Sequence, residues 1–230
     1  MKKNNNSYLD EINLLKHKGK VYDNKSRLQS LLDANEEGYD YAIFDDGLHE
    51  AKIDYDLKIV CFNKKNWIGN GLLLPAGPLR ENLQNIKKYD VVFFNGNQED
   101  ISDYKKYLVN INTKLLFFES EYHLSNIDEL DNKKPYFAFS GIGNHSTFID
   151  MLKNNNLNIV EHEEFPDHYN YTPKELDRIV LNAEEKKINI LTTEKDMQRI
   201  SDIYKKKIQV IRIFLKIKNE FNFSEKLNSL

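Results

Sequence analysis

Short, continuous apolar runs recur along the chain at Tyr41 to Phe44, Leu57 to Phe62, Val91 to Phe94, Leu115 to Phe118, Tyr136 to Phe139, Ile188 to Leu191 and Ile208 to Phe214. Most are apolar at nearly every position rather than at alternate ones, the pattern of strands buried on both faces. Polar stretches with helical spacing lie between them, as at Arg27 to Leu32 and Phe148 to Leu152. The alternation predicts an α/β fold with a mostly parallel sheet flanked by helices. The sharpest local signal is Thr172-Pro173-Lys174-Glu175, with an N-cap threonine, proline at the first helical position and glutamate three residues after the cap. It predicts a helix running to about Lys187. Asn144 is expected to cap a helix beginning near His145, and Thr193 to cap another.

Five polar segments fall where loops follow these runs: Phe44-Asp45-Asp46-Gly47, Leu74 to Glu81, Phe139 to Asn144, Phe165-Pro166-Asp167-His168 and Leu191 to Asp196. Open parallel sheets bind ligands at the carboxyl ends of their strands, so these segments are the expected rim of an active site. Asp45-Asp46 stands where phosphoryl-transfer enzymes place a carboxylate for Mg²⁺. It also reads as an acidic turn closed by Gly47. Asp167-His168 presents an imidazole beside a carboxylate, suited to accepting or orienting a proton; the alternative is a histidine packed under the next helix. His162, nearby, reads as a structural strand residue. In Pro75-Ala76-Gly77-Pro78-Leu79-Arg80-Glu81, two prolines around a glycine fix a turn and deliver Arg80 to an anion, or else Arg80 and Glu81 form a surface pair. Ser140-Gly141-Ile142-Gly143-Asn144 offers backbone N–H groups at a helix start, although tight packing alone could demand its glycines. Lys195 in the last segment is a candidate phosphate contact.

Composition narrows the classes. A chain of 230 residues with 40% hydrophobic content can bury a substantial core. A formal net charge of -3 argues against a general nucleic-acid binder. The single cysteine, Cys61, lies within an apolar run and is expected to be a small core residue in a reducing compartment. No run approaches the ~20 apolar residues of a membrane-spanning helix. The phosphate-loop pattern GxxxxGK[ST] does not occur; the one Gly-Lys pair, Gly19-Lys20, is followed by Val21.

Taken in order, the segments resemble the tetraacyldisaccharide 4'-kinase (lipid A 4'-kinase) family from about Leu9 to Phe214. The most specific matches are Asn70 to Glu81, Ala138 to Asn144 and Phe165-Pro166-Asp167-His168. The resemblance implies transfer of the ATP γ-phosphate, with Mg²⁺, to the 4'-hydroxyl of a lipid disaccharide 1-phosphate. It also implies a P-loop-kinase-like fold acting peripherally at the cytoplasmic face of a bacterial inner membrane, without nucleic acid or a stable protein partner. It assigns Asp10 as general base and His168 as its partner, with Glu11, Asp45 and Asp46 around the metal. Asp10-Glu11 by composition is only acidic helix-start material. Arg80 and Asn144 are candidate contacts to the anionic substrate.

Against the family pattern, Leu9 replaces a glycine, His49-Glu50 replaces Gln-His and His145 replaces a proline. The family's phosphate loop and membrane-associated segment would lie upstream of Met1. Residues 1–64 are accordingly expected to be a remnant of the nucleotide-binding domain and 65–230 a C-terminal α/β domain, with impaired turnover. The alternatives are a non-catalytic relative that binds a sugar phosphate or a protein, and a flavodoxin-like mononucleotide-binding domain.

Overall fold

The computed structural model describes residues 12, 15, 16, 18–50, 52–97 and 99–230. It is α/β, with two four-stranded sheets rich in parallel pairs. The chain divides into two compact units, residues 24–123 with 214–230, and residues 124–213 with the first 23. The boundary expected after residue 64 falls inside the first of these. There β1 (Ile59–Asn63) pairs in parallel with β2 (Val91–Asn95) from Ile59↔Val91 to Asn63↔Asn95, which ties the two sides of that boundary together.

In the unit of residues 24–123 and 214–230 the sheet order is β1-β2-β3-β8, with β3 at Leu116–Leu124 and β8 at Ile213–Lys218. The central strand β2 is apolar at four successive positions because both of its faces are covered. Val92 and Phe94 pack with Leu108 of α2 (Ser102–Ile111), whereas Val91 and Phe93 face Phe223 of α7 (Glu220–Asn228). Helix α1 (Arg27–Glu36) is capped by Ser26, whose side chain accepts from Gln29 N.

Two expectations in this unit fail. Tyr41 to Phe44 is not a strand: Ile43 is 98% exposed, and the segment has no ladder partner among the described residues. Cys61 is exposed rather than buried, because β1 is an edge strand.

In the other unit the strands are β4 (Pro135–Ser140), β5 (Asn158–Glu164), β6 (Asn189–Thr193) and β7 (Ile208–Ile211), ordered β5-β4-β6-β7 and all parallel. The chain runs from β4 through α3 (His145–Asn154) to β5 on one side. It then crosses back through α4 (Pro173–Lys186) to β6 on the other, which makes the carboxyl ends of β4 and β6 a topological switch point. Phe137 and Phe139 join Leu176, Ile179, Val180 and Ala183 of α4 in the core. The predicted capping box at Thr172 and Glu175 is present, and α4 ends at Lys187 in the left-handed conformation. The apolar run Ile208 to Phe214 is split between β7 and β8, which belong to different sheets.

Candidate active site

At the switch point, three loops follow β4, β5 and β6 and are joined by one carboxylate. The sequence Thr193-Glu194-Lys195-Asp196 places an acid three residues after a helix cap. Thr193 Oγ1 accepts from Asp196 N at 3.1 Å and donates to Asp196 Oδ2 at 2.7 Å, which starts the short helix α5 (Glu194–Gln198). The fully buried Asp196 Oδ1 accepts the Gly141 N–H at 3.0 Å and the Tyr171 hydroxyl at 2.8 Å, with Arg199 Nη2 at 3.5 Å. Arg199 Nη1 donates to the carbonyls of Gly141 and Tyr169. Burial, then Asp196, pushes the Tyr171 pKa far above the usual phenol range. A buried carboxylate is costly unless donors meet its oxygens, and both oxygens of Asp196 are met here. Gly141 is required by close approach: a Cβ there would lie 3.0 Å from the Pro166 carbonyl and 3.1 Å from Tyr169 Cβ.

The latched frame presents His168. Its N–H donates to the Gly141 carbonyl at 3.0 Å, and its backbone is left-handed at φ 57°, a strained region for a non-glycine residue. The side chain is 30% exposed, with Nε2 3.9 Å from Asp167 Oδ1. Nδ1 is buried and has no hydrogen-bond partner among the described residues. Asn144 caps α3 as expected, its Oδ1 accepting from Thr147 N at 3.2 Å and from Ser146 Oγ at 3.1 Å, so this oxygen is committed to structure. Ser140 Oγ lies 2.7 Å from His145 Nδ1, and His145 Nε2 lies 3.1 Å from His162 Nδ1. This chain ties the start of α3 to β5, in keeping with the structural reading of His162. Burial, followed by His162, lowers the His145 pKa.

The unit of residues 24–123 brings together two other predicted residues. Asp45 and Asp46 form a turn, with Asp46 at φ 51°, and Arg80 Nη1 is ion-paired with Asp46 Oδ1. Arg27 Nη2 donates to the Asp45 carbonyl at 3.3 Å, and the Tyr55 hydroxyl donates to the Gly47 carbonyl at 2.6 Å. The hydrogen bond from Arg80 lowers the Asp46 pKa. Glu81 does not pair with Arg80. It lies 3.1 Å from His49 Nδ1 and accepts from Asn85 Nδ2 and the Tyr89 hydroxyl, whose pKa burial and this carboxylate push up to about 12. Gly77 has no room for a side chain: a Cβ would sit 2.2 Å from Asn70 Oδ1 and 2.4 Å from the Leu72 carbonyl.

Asp10 and Glu11, assigned as base and metal ligand by resemblance, lie outside the described residues. Among the described residues no group of three or more His, Cys, Asp or Glu side chains could hold a metal ion. Asp45 and Asp46 do offer the hard carboxylate oxygens that suit Mg²⁺, which commonly takes one or two carboxylates and fills its remaining positions with phosphate and water.

The family model for LpxK, tetraacyldisaccharide-1-P 4'-kinase, matches residues 3–230. A tetraacyldisaccharide 4'-kinase of Pelagibacter ubique (strain HTCC1062) is 48% identical over 221 residues, covering 96% of this chain and 70% of the relative. The chain belongs to the tetraacyldisaccharide 4'-kinase family. A kinase of the same name from Rickettsia bellii (strain OSU 85-389) is 36% identical over 194 residues, 84% of this chain and 59% of the relative. The crystal structure of an "apo" form LpxK from Aquifex aeolicus in complex with ATP aligns at a TM-score of 0.52 with 25% identity, over 80% of this chain and 55% of that one. The α/β fold and the reading of the chain as a member of a kinase family therefore stand. Sequence reasoning missed Asp196, Tyr171 and Arg199. Their signal was an acid three residues after a capping threonine at the end of a buried strand.

Proposed function

We propose that the chain takes part in ATP-dependent phosphorylation of the 4'-hydroxyl of a tetraacyldisaccharide 1-phosphate. Family membership supports the reaction, and the observation that carries the site is His168: an imidazole on a left-handed backbone, partly buried, whose buried Nδ1 has hydrogen-bonding capacity left unused. In this reading the 4'-oxygen forms a bond to the γ-phosphorus as the bond to the β,γ-bridging oxygen breaks, and the hydroxyl proton passes to Asp10. His168 orients that carboxylate and stabilises its charge. Arg80 exchanges Asp46 for an anionic group of the acceptor; in the other unit, Asn144 keeps its amide N–H₂ available as an anion donor while its Oδ1 caps the helix. Asp45 and Asp46 hold Mg²⁺, which offsets charge on the phosphates when bound. ATP use is supported by the neighbour solved with ATP.

The enzyme would meet its acceptor at the cytoplasmic face of the inner membrane as a peripheral protein. No helix among the described residues is long and apolar enough to cross a membrane.

The test is transfer of label from γ-labelled ATP to tetraacyldisaccharide 1-phosphate in detergent micelles. Label at the 4'-position, lost in Asp46→Asn, is expected. Binding of the acceptor with no transfer by the wild type would favour the non-catalytic alternative.

A further inference from the structure

The segment that delivers Arg80 carries a second feature that the phosphoryl-transfer reading does not use. Three successive leucines point outward, with Leu72 52%, Leu73 45% and Leu74 61% exposed. Exposed apolar side chains are common singly, but a contiguous group on a shaped loop marks a contact surface.

The backbone beneath them is paired internally at most of its N–H groups. Leu72 N donates to Asn70 Oδ1 at 3.1 Å and Leu74 N to the Leu79 carbonyl at 2.8 Å. Ala76 N and Gly77 N donate to the Leu73 carbonyl, and Leu79 N to the Leu72 carbonyl. Asn70 Nδ2 reaches the Ala76 carbonyl at 2.8 Å, while Pro75 and Pro78 have no N–H to satisfy. The absent Cβ of Gly77 permits this folding, since any side chain would collide with Asn70 and Leu72.

A loop that turns its leucines out and pairs every backbone N–H from Leu72 to Leu79 except that of Leu73 can enter hydrocarbon with few polar groups to desolvate. The other exposed apolar run, Tyr41 to Phe44, differs in this respect. Tyr41 is 64% and Ile43 98% exposed, but the run has no backbone hydrogen bonds among the described residues, so immersing it would strip water from open peptide groups.

We propose that Leu72, Leu73 and Leu74 form a wedge that seats this loop in the acyl region of an anionic phospholipid bilayer, holding Arg80 at the depth of lipid phosphates. The proposal rests on the kinase reading only for its purpose: a tetraacyl acceptor resides in the bilayer, and the anion contact and the wedge share one loop. The membrane contact itself requires no turnover.

The test is co-sedimentation of the full chain with vesicles of phosphatidylglycerol and phosphatidylcholine, without ATP or acceptor. The wild type should pellet with the vesicles. The triple variant Leu72→Ser, Leu73→Ser, Leu74→Ser should lose on the order of a hundred-fold in partition coefficient, from three half-exposed leucines that each gain burial in lipid. Leu73→Phe with Leu74→Phe should retain binding, and Gly77→Ala, which keeps the leucines but breaks the turn, should weaken it. An unchanged far-ultraviolet spectrum and denaturation midpoint in the serine variant establish that these exposed positions were altered without unfolding.

Failure of the wild type to pellet, or equal pelleting of the serine variant, overturns the wedge. Neither result bears on the kinase reading, which the micelle assay addresses separately. If both readings hold, the serine variant keeps its micellar turnover and loses turnover only on vesicle-presented acceptor.

Discussion

In the unit built on β4 to β7, a carboxylate with no solvent exposure, Asp196, holds loops from three strands through a backbone amide, two hydroxyls and a guanidinium. In the unit built on β1 to β3, the loops at Asp45-Asp46 and at Arg80-Glu81 are held by the Asp46–Arg80 pair, in which the two side chains are 57% and 58% exposed, and by His49 with Glu81. The contrast separates a frame from a grip. A buried, hydrogen-bonded network is costly to disturb and fixes geometry. An exposed ion pair contributes little and can exchange partners when a charged ligand arrives. Phosphoryl transfer is largely positioning and electrostatics. His168 sits on the frame, and the groups assigned to metal and anion sit on the grip.

The strongest way to break this comparison is Asp196→Ala. It leaves the Tyr171 hydroxyl buried without its acceptor and the buried Arg199 without its carboxylate, and a loss of about 3–5 kcal/mol in unfolding free energy is expected from chemical denaturation. A loss below about 1 kcal/mol would place Asp196 on the same footing as Asp46. Next in size is Gly141→Ala, where the added methyl must displace the Pro166 carbonyl or Tyr169. Its expected cost is about 1–3 kcal/mol, read in the same way.

A smaller effect is expected with pH. His145 has its pKa lowered in the folded state by burial and then by His162, with Glu164 and Asp196 opposing. The unfolded chain therefore binds the extra proton first as pH falls. This contribution to stability is complete above the unfolded value of about 6.5 and declines below it, with a slope of at most about 1.4 kcal/mol per pH unit. His145→Asn should flatten this acid limb in stability profiles; an unchanged limb would remove His145 as its source.

Smallest of all is Asp46→Asn, expected to change stability by less than about 1 kcal/mol because both partners are largely solvated. The pair contributes above the unfolded carboxylate range and is lost as pH falls through the lowered Asp46 pKa. A loss as large as that from Asp196 would show that the grip is a frame as well.

The sequence was most readable where the physics is local. The capping box at Thr172 and the caps at Asn144 and Thr193 are settled within a few residues, and β2 and β4 declare themselves by continuous apolar runs. What failed depended on neighbours. Tyr41 to Phe44 has strand composition but no ladder partner among the described residues, and Cys61 is exposed because β1 forms a sheet edge. β5, Asn-Ile-Val-Glu-His-Glu-Glu, has burial that alternates along the strand and only two apolar residues, so it escaped a search for continuous apolar runs; it is also an edge. The run Ile208 to Phe214 gives no local sign that it feeds two sheets. Asp46 and Arg80, both singled out as charged candidates, meet across 34 residues of sequence. Asp196 gathers its partners from three loops, a convergence that no spacing rule encodes.

In the proposed reaction, the loops latched by Asp196 hold His168 toward a reacting group. The direct measurement is kcat for phosphate transfer by His168→Asn beside its unfolding midpoint, since asparagine tolerates the left-handed backbone that position requires. The account predicts a fall in kcat of at least about a hundred-fold with the midpoint nearly unchanged. Undiminished turnover, or a loss explained entirely by unfolding, would contradict it.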